Sequence, residues 1–378
     1  MCSQAETVVL KGILHSNAGI FTGEMLFSCR LFAILFRRRE GSSSMNIYDI
    51  SLKAGVSIAT VSRVLNGSDK VKSSTRKKVM DVIEESGYTP NAFARSLGLN
   101  SMSTIGILCS DASDVYQAQA IYYLERELRK SSYTSMLCCT GYQIEERKKH
   151  LQLLISKNVD AVFFIGSHFV GESDEENAYI RSAAEKFPVF ILNGELSGQN
   201  IYSVLCNDFK AGKEITDLVF EKGSKLPIYL YRALNYSGQR KMQGFLDSCS
   251  AHGLDMTQKR TFSCPGPTEK TREILERIED IIGMKFDAVV AADDELAVGA
   301  VKYAVARNKK IPEEFQITGY NNSVLSTCST PELTTMDNRV EFLCVTAVEQ
   351  MMQVLEKRDV AEHTMFSGRI IERETTKR

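Results

Sequence analysis

Residues 46–66 read NIYDISLKAGVSIATVSRVLN, and two short helices can be read from them directly. Ile47, Ile50 and Ala54 fall at helical spacing and share one face. Gly55 breaks the pattern and offers the backbone freedom of a tight turn. Ser57 is a natural cap for a second helix, because its side-chain oxygen can accept from a first-turn N–H that has no partner within the helix. In that helix Val61, Val64 and Leu65 form the inward face. Helix, four-residue turn, helix is the helix-turn-helix pattern. A third helix is expected over 74–86, with Val79, Val82 and Ile83 inward, Arg76, Lys77 and Lys78 outward, and Gly87 as its stop. The pattern suits DNA, because the major groove admits one helix whose first turn reaches base edges. A small three-helix bundle for protein contact would be built the same way.

The rest of the chain is far larger than this module. The 378 residues of the whole chain predict two or three units. With 43% hydrophobic and 25% charged residues, it is neither disordered, nor collagen-like, nor a disulfide-stapled miniprotein. The net charge of −1 hides an asymmetry: residues 1–44 carry +2, 45–103 carry +3, and the remainder carries −6. A small basic unit before a large acidic one points to a nucleic-acid module joined to something else. Ten cysteines occur with no C-x-x-C pair and no zinc spacing, as small hydrophobes of a reducing cytoplasm. Cys138 and Cys139, inside the apolar run from Thr134, read as part of a buried strand.

Residues 20–36 are apolar but interrupted by Glu24 and Arg30, so they are too short to span a membrane. The basic cluster Arg37–Arg38–Arg39 follows the apolar part, the reverse of a signal peptide. An interfacial amphipathic helix is one reading. The preferred expectation is that 1–44 is a non-native leader and that translation starts at Met45; N-terminal sequencing from the native host tests this.

From Thr104 onward, apolar runs alternate with amphipathic segments. Strands are expected at 105–109, 135–139, 161–165, 189–192, 228–231, 288–292 and 316–320. Helices are expected at 117–129, 144–156, 210–221, 240–252, 269–282 and 295–307. This alternation means parallel sheets covered by helices, and the length calls for two similar lobes. No dinucleotide fingerprint, phosphate loop, H-E-x-x-H or G-x-S-x-G is present. The five histidines are dispersed and read as surface or core residues. Neither catalysis, nor a metal, nor a cofactor has positive support.

At this point the residues become specific. The runs DISLKAGVSIATVSRVLNG (49–67) and VKSSTRKKVMDVIEESGYTPNAFARSL (71–97) resemble the DNA-binding domain of the lac repressor (LacI/GalR) family, without a gap from Asn46 to Leu97. AADDELAVGA (291–300), IPEEFQITGYNN (311–322) and TPELTT (330–335) resemble that family's effector domain, itself similar to periplasmic sugar-binding proteins. The resemblance implies a small all-α helix-turn-helix domain at 45–89 and a hinge helix and linker at 90–103. It implies an α/β two-lobed, type I periplasmic-binding-protein-like effector domain at 104–378. Lobe 1 would comprise about 104–205 and 336–358, lobe 2 about 206–335, with the C-terminal stretch returning to the first lobe.

It also implies roles. Ile58 and Ala59 sit where the family reads bases, and being apolar they suit thymine methyl groups. Arg63 is similar to the family arginine that reaches a base, with guanine its target; a solvated charge or a phosphate contact is the other reading. Thr60 and Ser62 suit phosphates that set register, and Tyr48, Ser57, Asn66, Lys77 and Asn91 complete the DNA-contacting set. Residues 90–97 resemble the hinge helix, with Leu97 matching the leucine that wedges into the minor groove; Gly98 departs from the family there.

In the effector cleft, Asp294 matches a ligand-binding aspartate able to accept two hydroxyl bonds, with helix capping as its other reading. Asp114 and Tyr116 match first-lobe positions, and Gln117 replaces a common aromatic. Lys241 stands where an effector-gripping arginine is usual, with Arg240 placed to compensate, and Asn321 replaces a frequent aspartate. The implied protein is a cytoplasmic, nucleoid-associated homodimer, most often a repressor, that binds a near-palindromic double-stranded operator. A sugar or related metabolite would control it, and it would have no membrane partner. The competing class is a cytoplasmic solute-binding protein with a vestigial DNA domain.

Overall fold

The structure, a computed structural model, describes residues 45–65, 68–87, 102–255, 257 and 259–378. Residues 1–44, together with Asn66, Asn91, Leu97 and Gly98, lie outside the described residues, and so does nearly all of the expected hinge. The chain divides into two compact units, Met1–Leu99 and Asn100–Arg378.

In the first unit, helices α1 (Ile47–Ala54), α2 (Ile58–Leu65) and α3 (Ser73–Ser86) close on Ile50, Ala54, Val61, Val64 and Val79. Val82, Ile83 and Leu65 flank that core as half-buried residues. Gly55 ends α1 with φ +60, a left-handed conformation that a side chain would strain. The start of α1 carries a device that the periodicity does not reveal. The Asn46 side chain accepts from the N–H groups of Tyr48 (2.9 Å) and Asp49 (3.2 Å), while Asp49 accepts from Asn46 N–H at 2.8 Å. This reciprocal capping box satisfies donors the helix leaves open. Asn46→Ala is expected to cost about 1 kcal/mol and to speed amide exchange in α1 about fivefold. Arg76, expected to face outward, is half-buried and donates to the Ser68 carbonyl at 2.7 Å. It pins the connection before α3, because that carbonyl has no helical partner of its own.

The second unit holds two six-stranded sheets. The first contains β1 (Thr104–Cys109), β2 (Thr134–Cys139), β3 (Ala161–Ile165), β4 (Val189–Leu192), β5 (Ile201–Cys206) and β11 (His363–Phe366), in the order β11-β5-β4-β3-β1-β2. All its pairings are parallel. The second contains β6 (Pro227–Tyr231), β7 (Thr261–Ser263), β8 (Ala288–Ala291), β9 (Gln316–Tyr320), β10 (Thr334–Asp337) and β12 (Arg369–Ile371), in the order β12-β10-β9-β8-β6-β7. Only β12 runs antiparallel, against β10.

The first sheet is covered by α4 (Val115–Lys130), α5 (Ile144–Ser156), α6 (Asp174–Ala184) and α12 (Val340–Leu355). The second is covered by α7 (Asp208–Glu221), α8 (Tyr236–Ala251), α9 (Thr268–Asp280) and α10 (Asp294–Ala306). The short helix α11 (Val324–Cys328) follows β9. Among the described residues, no helix is long and apolar enough to cross a membrane.

Three expectations need correction. The boundary at 336 falls inside β10, so Met336 and Asp337 belong to the second sheet. The C-terminal stretch returns to the first sheet as α12 and β11, but it then crosses a third time and ends in the second. There Thr375 exchanges bonds with Ile317 and accepts from Thr334 N–H, so the end of the chain is a strap anchored by the buried Thr375 and Thr376. Its hydroxyls supply the partners that a buried backbone requires. Finally, β2 is not a buried strand but a sheet edge, with Leu137 and Cys139 exposed and Cys138 buried. An edge strand has a neighbour on one side only, so an apolar run by itself does not imply burial on both faces.

Candidate DNA-reading helix and ligand cleft

The first turn of α2 is prepared by two hydroxyls. Ser57 Oγ accepts from Thr60 N–H at 3.2 Å and lies 2.9 Å from Thr60 Oγ1. Ile58 and Ala59 are exposed at this turn, and Arg63 is exposed about a turn later, with Ser62 half-buried between. The Arg63 guanidinium has no hydrogen-bond or ion-pair partner among the described residues, and α2 carries no acidic residue in its first turn. Tyr48 (62% exposed) and Leu52 (79%) add apolar surface to a unit with five buried core residues among the described ones. Lys77 is exposed on α3, and Lys78 Nζ comes within 3.5 Å of where a side chain at Gly55 would begin. Exposed apolar groups beside unpaired cations suit base-edge contact flanked by phosphate contact.

The second unit has a cleft between its sheets, enclosing about 270 Å³. Its walls come from loops at the carboxyl ends of parallel strands, where such sheets bind ligands. Asp114 follows β1, Tyr142 follows β2, His168 follows β3 and Asn193 follows β4. From the other lobe come Arg232 after β6, Asp293 after β8 and Asn321 after β9. Arg232 is held by carboxylates: Nε donates to Asp293 at 3.0 Å and Nη2 to Glu295 at 2.6 Å, while Nη1 donates to the Gly266 carbonyl. Burial works against that charge, but Asp293 and Glu295 outweigh it and hold the guanidinium pKa raised. Burial raises the Asp114 carboxyl, against the bond it accepts from Gln117 N–H. Burial, with Arg147 nearby, lowers the His168 imidazole to about 3. His168 therefore stays neutral, with a buried Nε2 that has no partner among the described residues. The Tyr116 hydroxyl at the cleft is likewise buried with no partner among the described residues.

Lys241 sits on α8, where close helix approach fixes its backbone. A side chain at Gly212 of α7 would begin 2.4 Å from the Lys241 carbonyl oxygen. Its ammonium donates to the Ala292 carbonyl at 3.0 Å and lies 4.4 Å from the centre of the Tyr320 ring. One lip of the cleft is latched between lobes. Tyr236 donates to Glu195, Gln239 to Glu172 (3.0 Å), and Ser237 N–H to Ser167 Oγ (3.3 Å).

Residues 46–91 match the lacI family of bacterial regulatory proteins, and 217–376 match a periplasmic binding protein-like domain. An HTH-type transcriptional regulator of Lachnoclostridium phytofermentans is 46% identical over 332 residues, covering 88% of this chain and 99% of that protein. The chain belongs to the lacI family. It is a transcriptional regulator with a DNA-binding helix-turn-helix and a ligand-binding domain. Two solved structures share the fold. The lac repressor dimer bound to operator and the anti-inducer ONPF has a TM-score of 0.78 at 20% identity, covering 88% of this chain and 99% of its own. The transcriptional regulator CelR in complex with cellobiose has a TM-score of 0.64 at 19% identity, with the same coverages.

Within this lacI-family regulator, the residues singled out from sequence separate into two groups. Asp114, Tyr116, Lys241 and Asn321 line the cleft, as does Gln117. The Asn321 side-chain oxygen is occupied by Asn338, which donates to it at 2.8 Å. Gln117 turns its oxygen to the N–H and hydroxyl of Ser110, so it braces the β1–α4 loop. Asp294 does not line the cleft. It is 2% exposed and accepts from Thr335 Oγ1 (2.6 Å), Ser323 N–H (2.7 Å) and Ser323 Oγ (2.8 Å). Nor does it cap its helix; Asp293 does, accepting from Leu296 N–H at 2.8 Å. Adjacent residues at a helix start point in different directions, so a shift of one position exchanged cleft and core. Arg240 is exposed on α8, 5.3 Å from the Tyr236 ring and outside the cleft wall. The guanidinium that does line the cleft is that of Arg232. It is the first residue past the strand expected at 228–231, and that position was the available signal. Among the described residues, no group of His, Cys, Asp or Glu could hold a metal ion.

Proposed function

We propose that the protein is a cytoplasmic, dimeric repressor of a near-palindromic operator, released or recruited by a small, uncharged polyhydroxyl effector in the inter-lobe cleft. The observation that carries the DNA half is the first turn of α2, where Ile58 and Ala59 are exposed and Arg63 follows with no side-chain partner among the described residues. Ile58 and Ala59 would meet thymine methyls, Arg63 a guanine, and Thr60, Ser62, Tyr48 and Lys77 phosphates. The cleft supports an effector rather than a substrate, because its polar groups are arranged to bind and none forms a nucleophile–base pair. Its two cations are engaged, Arg232 by carboxylates and Lys241 by a carbonyl, so no free cation awaits a phosphate. Amides, hydroxyls and a neutral imidazole suit a sugar-like ligand of one or two rings, and the volume lies just below the usual range of about 300–1,000 Å³. Coupling between ligand and DNA would be about 1–3 kcal/mol and reciprocal.

A gel shift on the DNA upstream of its own gene, at low salt and with candidate sugars, tests the whole reading. Absence of binding under every condition favours the solute-binding alternative. Thermal-shift screening should find neutral sugars that stabilise the protein and show that their phosphates do not. Arg63→Ala is expected to relax preference at one position per half-site by about 1–3 kcal/mol. Lys77→Ala should weaken all sequences alike and reduce the salt slope by about one. Equal effects of the two variants on specificity would refute the role of Arg63.

A further inference from the structure

The ends of β1 and β2 bring two thiols together outside the ligand-binding contacts. Cys109 and Cys139 are direct partners in the parallel register of these strands, so both project to the same face of the sheet. Their sulfurs are 3.5 Å apart, with the Cys109 thiol donating to Cys139. Cys138 points to the opposite face, where it joins the core with Leu108 and Leu151. Strand neighbours lie about 4.8 Å apart, and disulfides bridge α-carbons separated by about 4.4–6.8 Å. The backbone thus already stands at bridging distance, and side-chain rotation alone must close the gap. The two thiols are also unequal. Cys109 is buried among Ile105, Ile107 and Leu124, and burial followed by the contact with Cys139 raises its pKa. Cys139 is exposed on the sheet edge. No other two thiols are in hydrogen-bond contact among the described residues.

We propose that Cys109 and Cys139 form a hydroperoxide-responsive dithiol, in which Cys139 is the reacting thiol and Cys109 the resolving one. The Cys139 thiolate attacks a peroxide oxygen; an S–O bond forms, the O–O bond breaks, and the departing alkoxide takes a proton to leave as alcohol. The Cys109 sulfur then attacks Cys139; an S–S bond forms, the S–O bond breaks, and the hydroxyl leaves as water with the Cys109 proton. Overall, two thiols are oxidised by two electrons and one hydroperoxide is reduced to alcohol and water. The bridge would tie together two loops of one cleft wall. Cys109 leads into Ser110–Asp114, and Cys139 leads into Thr140–Tyr142, where Thr140 N–H already donates to the Cys109 carbonyl at 2.8 Å. This inference does not depend on the identity of the effector.

The full-length chain, reduced and freed of reductant, is treated with excess tert-butyl hydroperoxide, alkylated, digested with trypsin and mapped by mass spectrometry. Cleavage after Lys130 separates the two cysteines. The expected product is a Cys109–Cys139 cross-linked peptide pair, two hydrogens lighter than the free thiols and lost on treatment with dithiothreitol. Cys138→Ser should retain the cross-link, and Cys109→Ser should give a Cys139 sulfenic acid captured by dimedone. Should Cys109→Ser misfold, Cys139→Ser on the exposed edge serves instead and must leave Cys109 a free thiol. A Cys138–Cys139 bridge, over-oxidation of Cys139 beside a free Cys109, or both thiols unmodified would each overturn the proposal.

Discussion

Asp294→Ala should lower the stability of the second unit by about 2–4 kcal/mol and its melting temperature by several degrees, in the absence of any ligand. The carboxylate is the acceptor for one backbone N–H and two hydroxyls, all buried. Alanine leaves the Ser323 N–H unpaired, and a buried orphan donor costs about 1–3 kcal/mol. The two hydroxyls can rotate, but Thr335 and Ser323 are themselves buried, away from the water that would otherwise replace the lost acceptor. Loss of desolvated charge offsets part of this. A cleft aspartate would behave oppositely, with stability untouched and only ligand binding lost, so calorimetry of the ligand-free protein decides the matter.

The same residue makes stability depend on pH. Burial raises the Asp294 carboxyl from 3.8 to about 6, while the bonds from Thr335 and Ser323 pull the other way but less strongly. The folded chain therefore binds this proton more tightly than the unfolded chain. The resulting stabilisation is present in full below about pH 3.8 and is lost as pH rises through about 6. The change is on the order of 3 kcal/mol. Asp294→Asn can keep the geometry, with its oxygen accepting from Ser323 and its amide donating to Thr335 Oγ1. Its stability should be flat between about pH 4 and 6, where the natural chain declines relative to it. Parallel pH profiles for the two proteins would show that Asp294 does not titrate there.

Ile50→Ala should abolish DNA binding while the sheets of the second unit stay folded. Ile50 is fully buried in a core whose other buried members, among the described residues, are Ala54, Val61, Val64 and Val79. Truncating a buried isoleucine costs about 2–5 kcal/mol, whereas a core in a unit this small supplies no more than about 3–5 kcal/mol. The higher helix propensity of alanine returns only a few tenths of a kcal/mol. A gel shift should lose the complex, and amide exchange in α1–α3 should approach unprotected rates while β1, β3 and β8 stay protected. Retention of DNA binding within twofold would refute this account of the core.

The residues that were legible in the sequence are those whose neighbours are close along the chain. Ile47, Ile50 and Ala54 reveal α1 because helical period alone decides which face they share. Gly55 and Gly87 mark helix ends because a left-handed residue is a local requirement, and both take φ near +60. The strands β3, β4 and β9 match the expected apolar runs to the residue, since central strands are covered on both faces. The strands that escaped are β5, β7, β10, β11 and β12. Three of these, β7, β11 and β12, lie at sheet edges, where burial is partial and the apolar run weakens. Thr334 and Thr335 of β10 are fully buried yet polar, because Asp294 and Thr376 give them partners only in the folded chain.

Family membership, the helix α2 with Ile58, Ala59 and Arg63 on one exposed face, and the two-lobed α/β plan are all legible in the residues alone. These follow from local periodicity and from ungapped runs of residue types. Which charged groups face the cleft depends instead on the folded chain. Asp293 and Asp294 are neighbours of identical chemistry, and helix geometry sends one to Arg232 and the other into a pocket formed by Ser323 and Thr335. Arg232 gains its place from Asp293, Glu295 and Gly266, partners that lie 34 to 63 positions away along the chain. Such contacts depend on how strands are ordered in a sheet, and that order leaves no periodic mark in the sequence.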